Sequence, residues 1–596
     1  MAVLSMRVEI SARRYKGWIC LILPRSFRSK DSPVLTKEET YCIHSAALAF
    51  SLGIYLLMEQ TEIPTRNRRS PEQTEAWILG SGISSLASAL YLISHAKVPA
   101  TQVHILDSHD SVGEVLHPAG SPSYGYDQFA GCLPVPIGTP LKKLLASIPS
   151  VNIRGRSILD EIHTAETNRE SATQKSGTCF LVQEKGNLRD VPTTKLNLSI
   201  KSRLDLVRLM LKGEKSLGRD QIKDIFPDSF FLSIFWAIWS AQFGFQPWHS
   251  AAEFRRSLRQ YLSKFHTLAI LGCLDLTGYY QYEHIFLPIY FYLRSLDVDF
   301  RFDTNVKDVV TSPDSDHRTV SRLDLIQYGF QKSQNIGPQD IVIATLGSTI
   351  SGCAVGANGH APILQSIDPT EQLDENWAIW LELGSRHRRF GNPYNFCTRK
   401  SQSMLESFTI TTEDPTFFKH LSSLSRFAAT SGTFIILRES RWKLNLCLPP
   451  QPVFRHQPPN VRIIWGFALF PESKGDFVNK PMLHCSGAEI MSELLLHLNY
   501  QARLVRHTAL IQRVMPRMSS LLISRVQDDR PSVIPQDTSN IGLVGQFVNL
   551  PNYSCVDMSY GVLAAETAVS HLMGLHKPSV QLSGWFSTML RTIFWK

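Results

Sequence analysis

The stretch AWILGSGISSLASALYLISHA, residues 76–96, followed by VHILDSHD at 103–110, constrains this chain more than any other part of it. A short apolar strand runs into a glycine turn, then into a segment whose apolar residues recur at three- and four-residue spacing, then into a second strand ending in an acid. That is a βαβ unit. Gly80 and Gly82 fit a GxGxx(G/S/A) fingerprint with Ser85 in the third place, and Ser81 lies between the glycines. The first glycine permits the tight turn, the second lets backbone approach a pyrophosphate, and a small third residue lets helix and strand pack closely. Asp107, twenty-seven residues after Gly80, is placed to accept hydrogen bonds from adenosine ribose hydroxyls. The unit predicts dinucleotide binding.

Two later segments return to this character, DIVIATLGS near 340 and IGLVGQFVNLP near 541, the second followed by the helical pattern GVLAAETAVSHLM. Between them lies different material. SFFLSIFWAIWSAQFGFQPWHSAAEFRRSLRQYLSKFH, residues 229–266, is aromatic and helical in period, a composition suited to the wall of an apolar cavity. FIILR and VRIIWGFALF read as strands. At 596 residues the chain exceeds one ordinary core. The expected fold class is α/β: a Rossmann-type domain assembled from separated segments, with an inserted mixed, helix-rich substrate domain. The expected divisions are a basic extension at 1–70, the nucleotide domain at 71–215, 301–360 and 541–575, a helical cavity region at 216–300, a substrate domain at 361–540, and a tail at 576–596.

Composition excludes some classes. Residues 1–70 carry eleven Lys/Arg against six Asp/Glu, more than half of the net charge of +9, so the rest of the chain is too weakly basic for a nucleic-acid footprint. The ten cysteines are dispersed with no CxxC pair, which reads as free thiols in a reducing, cytoplasmic compartment. No HExxH or acidic calcium loop occurs, and no metal site is expected. From Thr40 to Met58 there is no charged residue, a run close to the roughly 20 residues of a bilayer span. It reads either as a membrane-associating helix or as a helix packed on the body of the protein.

GSGISSLASALYLI, FWAIWSAQFGFQPWHSAAEFRR, YYQYEHIFLP, FGNPYNFC, DFVNKPMLHCSGAEI and GLVGQFVNLP, in that order from about Ala76 to Met573, together resemble the oleate hydratase family, also called myosin-cross-reactive antigen. The resemblance implies an FAD-binding fold, often homodimeric, in which the flavin is structural and electrostatic and water adds to an isolated double bond of a fatty acid. It extends the cofactor expectation from Gly80, Ser81, Gly82, Ser85 and Asp107 to Gly113, Gly545 and Gln546.

Against that pattern the chain departs at the chemistry. The family shows a run resembling GYxxRGGREME; here GYDQFAGCLPV keeps Gly125 and Tyr126 but puts Phe129 at the arginine and Leu133 at the key glutamate. The tyrosine nine residues after the Trp of WHSA is Ser257, a far weaker proton donor than a phenol of pKa about 10. A segment resembling TxNRQPHF reads CLPPQPVF at 447–454, keeping only Gln451, Pro452 and Phe454. Gln281 of YYQYE persists. GEVLHP places Glu114 and His117 where the family has glycine and aspartate, either a relocated acid/base pair or exposed loop residues. Cys132 has no basic neighbour in sequence to activate it.

Three readings follow for a hydrophobic small-molecule substrate. The site performs a non-redox cyclisation, cycloaddition of Diels-Alder type, or isomerisation of a terpenoid or polyketide intermediate in secondary metabolism, with Gln281 or Ser257 supplying a hydrogen bond. Or it is a divergent fatty-acid hydratase or isomerase using Glu114 or His117. Or it is a flavin-binding lipid carrier or partner protein without catalysis.

Overall fold

The computed structural model describes residues 68–575 apart from 114–118, 128–137, 151, 171–176, 185–186, 192–197, 263–281, 314–317, 365–372, 425–432, 450, 455 and 502–507. The run 40–58, the tail, and Glu114, His117, Phe129, Cys132, Leu133 and Gln281 therefore lie outside the described residues. Among the described residues no helix is long and apolar enough to cross a membrane.

Five strands form one parallel sheet in the spatial order Ile541–Val544, Ile341–Thr345, Ala76–Leu79, Val103–Leu106, Asp299–Arg301. Numbered along the chain this is 5-4-1-2-3, the doubly wound order in which the first strand sits centrally and the direction of winding reverses beside it. Three of these strands, Ala76–Leu79, Val103–Leu106 and Ile541–Val544, are buried at every position, which is why they read as unbroken apolar runs. The helices Ile83–Ser94 and Met558–Leu572 pack against each other beside the sheet. The segments DIVIATLGS and IGLVGQFVNLP thus join the first glycine turn across long insertions, as the sequence predicts.

A second sheet has eight strands, ordered Ala354–Gly356, Thr508–Met515, Leu405–Thr412, Arg462–Ala468, Leu444–Leu448, Thr433–Leu437, Gly177–Glu184, Asn187–Asp190. Strand alternation divides its residues between two faces. Phe408, Ile410, Leu444, Leu446 and Ile464 pack with Phe417, Leu421, Ile490 and Leu494 from the helices Pro415–Ser423 and Gly487–His497. Ser407, Thr409 and Thr411 take the opposite face, with Cys447, Trp465 and Arg513 in register beside them.

One expectation needs correction. Gly177–Glu184 and Asn187–Asp190, assigned from sequence to the first part of the nucleotide domain, belong to the second sheet, because Gly177–Leu181 pairs in parallel with Thr433–Leu437. A contiguous boundary drawn along the chain has no access to a pairing partner some 250 residues away. The aromatic segment, helical in period as its sequence reads, contains two main helices. Ile234–Phe243 ends where Gly244 takes a left-handed conformation (φ 72°), and Ala251–Tyr261 restarts at the N-cap Ser250, whose Oγ accepts from Glu253 N. The rings pack largely on one another: Phe254 meets Trp236, Trp239 and Phe245 edge-on at 5.5–5.9 Å.

Candidate functional site

The glycine turn adopts the geometry its sequence requires. Gly80 has φ +94°, which a side chain would resist, and a Cβ there would stand 3.2 Å from Asn376 Oδ1. Gly82 differs: a Cβ on it would meet nothing within 4 Å, so protein packing does not demand glycine there. It is the N-cap of Ile83–Ser94 and offers no side-chain cap, leaving first-turn N–H groups to an anion. Ser85 is buried, and its hydroxyl lies 2.8 Å from Thr345 Oγ1, joining the helix to the neighbouring strand.

Asp107 follows the second strand and is buried. Its Oδ1 accepts from His109 N at 2.9 Å and lies 2.8 Å from His109 Nδ1. Burial would raise its pKa, but the bonds from His109 and Ser81 outweigh that and hold the carboxyl below its ordinary value. Glu375 Oε1 stands 4.0 Å from the same imidazole nitrogen. Beside it Asp374, the N-cap of Glu375–Arg386, is pushed up to about 6 by burial and by Glu375.

These residues fit a dinucleotide. Asn376 Oδ1 is a buried acceptor with no hydrogen-bond partner among the described residues, at the glycine turn itself. A ligand hydroxyl or N–H would satisfy it. Gly545 (φ +104°) opens the segment after the strand Ile541–Val544, and Gln546 Nε2 donates to Cys555 O at 2.9 Å. Gly113 is also left-handed (φ +59°) and approaches the Tyr282 ring. His109, Glu375 and Asn376 were not singled out from the sequence, although His109, two residues after Asp107, stood within reach of a local reading.

The helix Ala251–Tyr261 carries the second half of the site. Glu253 is buried and ion-paired with Arg525, with Arg256 at 3.8 Å and Arg530 at 3.7 Å; Arg256 also pairs with Glu214 at 2.7 Å. Burial opposes ionisation of Glu253, yet the three guanidinium groups hold its carboxyl well below the usual range. Arg256 also donates to Asn549 Oδ1 at 2.8 Å, and Cys555 Sγ lies 3.4 Å from Glu253 Oε2. The helix is thereby fixed against the segment that follows Gly545.

One turn further on, Tyr261 donates to Asp557 Oδ2, and Gln260 Nε2 reaches Tyr261 Oη (2.9 Å) and Asp557 Oδ2 (3.4 Å). Asp557 also caps Met558–Leu572 through Tyr560 N. Ser257 stands three and four residues before this pair, on the same flank of the helix. Its side chain is fully buried, and its Oγ has no partner among the described residues.

The loop 128–137 is bracketed by two anchors. At its start, Tyr126 N donates to Thr411 Oγ1 at 2.8 Å, the Tyr126 ring stacks on Phe454, and Asp127 pairs with Arg513. At its end, Gly138 packs so closely on the last helix that a Cβ would lie 2.5 Å from Ser559 Oγ and 3.2 Å from Asp557 Oδ2. The residues flanking 128–137 thus rest on Thr411 and Arg513 at one end and on Ser559 and Asp557 at the other. Gln451 serves as an internal brace, its Nε2 donating to Pro449 O (3.0 Å) and Ile463 O (2.8 Å).

Among the described residues, two groups bring possible metal-ligand atoms within 4.8 Å of one another, Asp107–His109–Glu375 and Asp476–Glu493–His497. In the second, the Glu493 carboxylate already accepts the N–H groups of Asp476, Phe477 and Val478, as a loop clamp would.

A family model described as MCRA matches residues 73–570. The chain belongs to the MCRA family. It is 29% identical over 517 residues to an oleate hydratase of Streptococcus pyogenes serotype M49, covering 84% of this chain and 86% of that protein. To a linoleate hydratase of Lactiplantibacillus plantarum it is 26% identical over 548 residues, covering 84% and 94%. An oxidoreductase structure from Methanosarcina mazei aligns with a TM-score of 0.45 at 13% identity, covering 83% of this chain and 99% of that one. MCRA-family oleate hydratases bind FAD, and FAD is the cofactor of this chain. Both of these relatives are hydratases, and the chain is an enzyme.

Proposed function

We propose that this MCRA-family chain performs a non-redox transformation of a long hydrophobic substrate by ordering it, without the family's inherited proton donors: cyclisation, cycloaddition or isomerisation of a polyene such as a terpenoid or polyketide intermediate. The observation that carries this reading is Ser257, a buried hydroxyl at the position where the resemblance implies a phenol. Leu133 supports it from sequence, since an alkyl side chain neither gives nor takes a proton.

In this reading FAD is held by the turn Gly80–Gly82, by Asp107 and Asn376, and by the Gly545–Gln546 segment, and it supplies electrostatic stabilisation of charge developing on the substrate. The chain's own groups do the rest. The Tyr126–Phe454 stack and the Trp465 ring contribute apolar area beside the hydroxyl-bearing Ser407 and Thr409, and the apolar part favours a folded hydrocarbon over a hydrated one. Ser257 donates a hydrogen bond to a polarised oxygen, lowering the barrier to ring closure without transferring a proton. Holding both reacting ends of one chain together supplies the entropic part of the acceleration.

A second reading, a fatty-acid hydratase with a relocated acid such as Glu114 or His117, is favoured by the two relatives, both hydratases. Glu114→Gln and His117→Asn separate the two. They leave activity on a cyclising polyene within about two-fold under the first reading and abolish oleate hydration under the second.

A further inference from the structure

We propose that Arg255 anchors an anion site on the side of the helix Ala251–Tyr261 away from Ser257, and that its ligand is a phosphate group, free or at the head of a lipid. That side is distinct from the one that carries Ser257, and the site stands whichever reaction the protein performs.

Arg255 is 3% exposed, yet among the described residues its guanidinium makes no hydrogen bond and no ion pair. Its Nε is sealed from water; Nη1 and Nη2 are not, so the open end of the fork meets space that water can enter. A buried cation without a counter-charge strongly destabilises a fold. The neighbours do not supply one. Glu214 is the acid that acts on Arg255, but its oxygens are taken: Oε2 accepts from Arg256 Nε at 2.9 Å, and Oε1 from Arg256 Nη2 at 2.7 Å and Arg525 Nη2 at 3.3 Å. Arg259, one turn on, adds like charge beside Arg255 while donating Nε and Nη2 to Met210 O. Burial pulls Arg255 down to about 10 and Arg259 to about 9, so both stay cationic at neutral pH.

Two residues along a helix turn through about 200°, so Arg255 and Ser257 leave it on opposite sides. The helix packs against Ile200–Leu211 and Glu214–Leu217, the elements that hold Met210 and Glu214. Residues 200–224 carry seven Lys/Arg against four Asp/Glu. Lys215, next to Glu214, is exposed and has no ion pair among the described residues. This surplus draws an anion toward Arg255. A guanidinium fork matches two oxygens of a carboxylate or of a phosphate. The surplus selects the phosphate, which brings about two negative charges where a carboxylate brings one.

The test uses the FAD-loaded full chain at neutral pH and constant ionic strength. Thermal melts are compared in chloride, acetate and inorganic phosphate, and phosphate uptake is measured by calorimetry. The wild type takes up phosphate, and millimolar phosphate raises its Tm by several degrees more than chloride or acetate does. Arg255→Met loses both the uptake and the phosphate-dependent rise. Its Tm in chloride equals or exceeds that of the wild type, because an apolar side chain removes an uncompensated charge. Arg255→Lys keeps the charge without the fork and binds phosphate about ten-fold more weakly. Sedimentation with phosphatidic acid vesicles separates the two sources. Retention that free phosphate competes away assigns a lipid head group, and phosphate uptake without retention assigns the free ion. No phosphate uptake by the wild type overturns the proposal, as does a rise in Tm that acetate matches or that Arg255→Met retains. An Arg255→Met chain that melts several degrees lower in chloride, or does not fold, overturns it too, because the guanidinium is then satisfied within the protein.

Discussion

The ring of Tyr126 lies stacked on that of Phe454, centroids 4.8 Å apart and planes within 16°. This contact joins the residues before the charge-poor loop to the end of CLPPQPVF, two segments in which the sequence departs from the family resemblance. The two segments thus meet at Tyr126 and Phe454. Stacked aromatic pairs contribute about 0.5–1.5 kcal/mol beyond their area. A double-mutant cycle of Tyr126→Leu and Phe454→Leu, read by denaturant unfolding, is expected to return a coupling of about 1 kcal/mol. Simple additivity would show that the rings do not support each other.

Gly82 and Gly138 are glycines for different reasons. A side chain at position 82 meets no protein atom, whereas one at 138 collides with Ser559. Gly82→Val is expected to yield a colourless protein with the Tm of flavin-free wild type. Gly138→Val is expected to lower the Tm of the flavin-free protein itself. Visible absorbance and thermal melts, taken side by side, check both.

Glu253 is the hub of a buried ionic cluster with Arg256, Arg525 and Arg530. Removing one partner of such a cluster leaves uncompensated charge, at a cost of about 3–5 kcal/mol. Glu253→Gln should lower stability by that order in denaturant melts at neutral pH. The folded-state pKa of Glu253 is depressed, so its contribution is fully present above the ordinary carboxylate range. It is lost only as pH falls through the folded value, and wild type and variant should converge in strong acid.

Glu406 behaves in the opposite sense. It shares a sheet face with Phe408 and Ile410, is fully buried, and neither carboxyl oxygen has a partner among the described residues. Burial pushes its pKa well above the usual value, so the folded state holds a proton that the unfolded chain releases. Its contribution to stability is greatest below the unfolded pKa and falls as pH rises from there toward the folded value, by about 1.4 kcal/mol per unit. Glu406→Met is therefore expected to stabilise the protein by several kcal/mol at pH 7.5 and by much less at pH 5. Melts at the two pH values check the difference.

The nucleotide half of the molecule was legible because its signals are local. Gly80, Gly82 and Asp107 lie in one βαβ unit, and continuous apolar runs marked strands buried on both faces. The helical period of 229–266 does not place the break at 244–250, where Gly244, Pro247 and the cap Ser250 separate two helices of the same character. The strands at 177–190 were misplaced because sheet membership is decided by partners far along the chain. The same holds within the site. Ser257 could be named from its spacing after Trp248, but Asn376 and the Tyr126–Phe454 stack become visible only when distant segments meet. His109 and Asp557 did carry local signals, the one beside the ribose acid and the other a cap immediately before the last helix.

The central claim is that the family's proton donors are gone and hydration of a fatty acid with them. The most direct test incubates the full chain, loaded with reduced FAD, with oleate and quantifies product by mass spectrometry, alongside Leu133→Glu/Ser257→Tyr. The account predicts no hydroxy acid above the enzyme-free control for the wild type; efficient formation of hydroxystearate by the unmodified chain would contradict it.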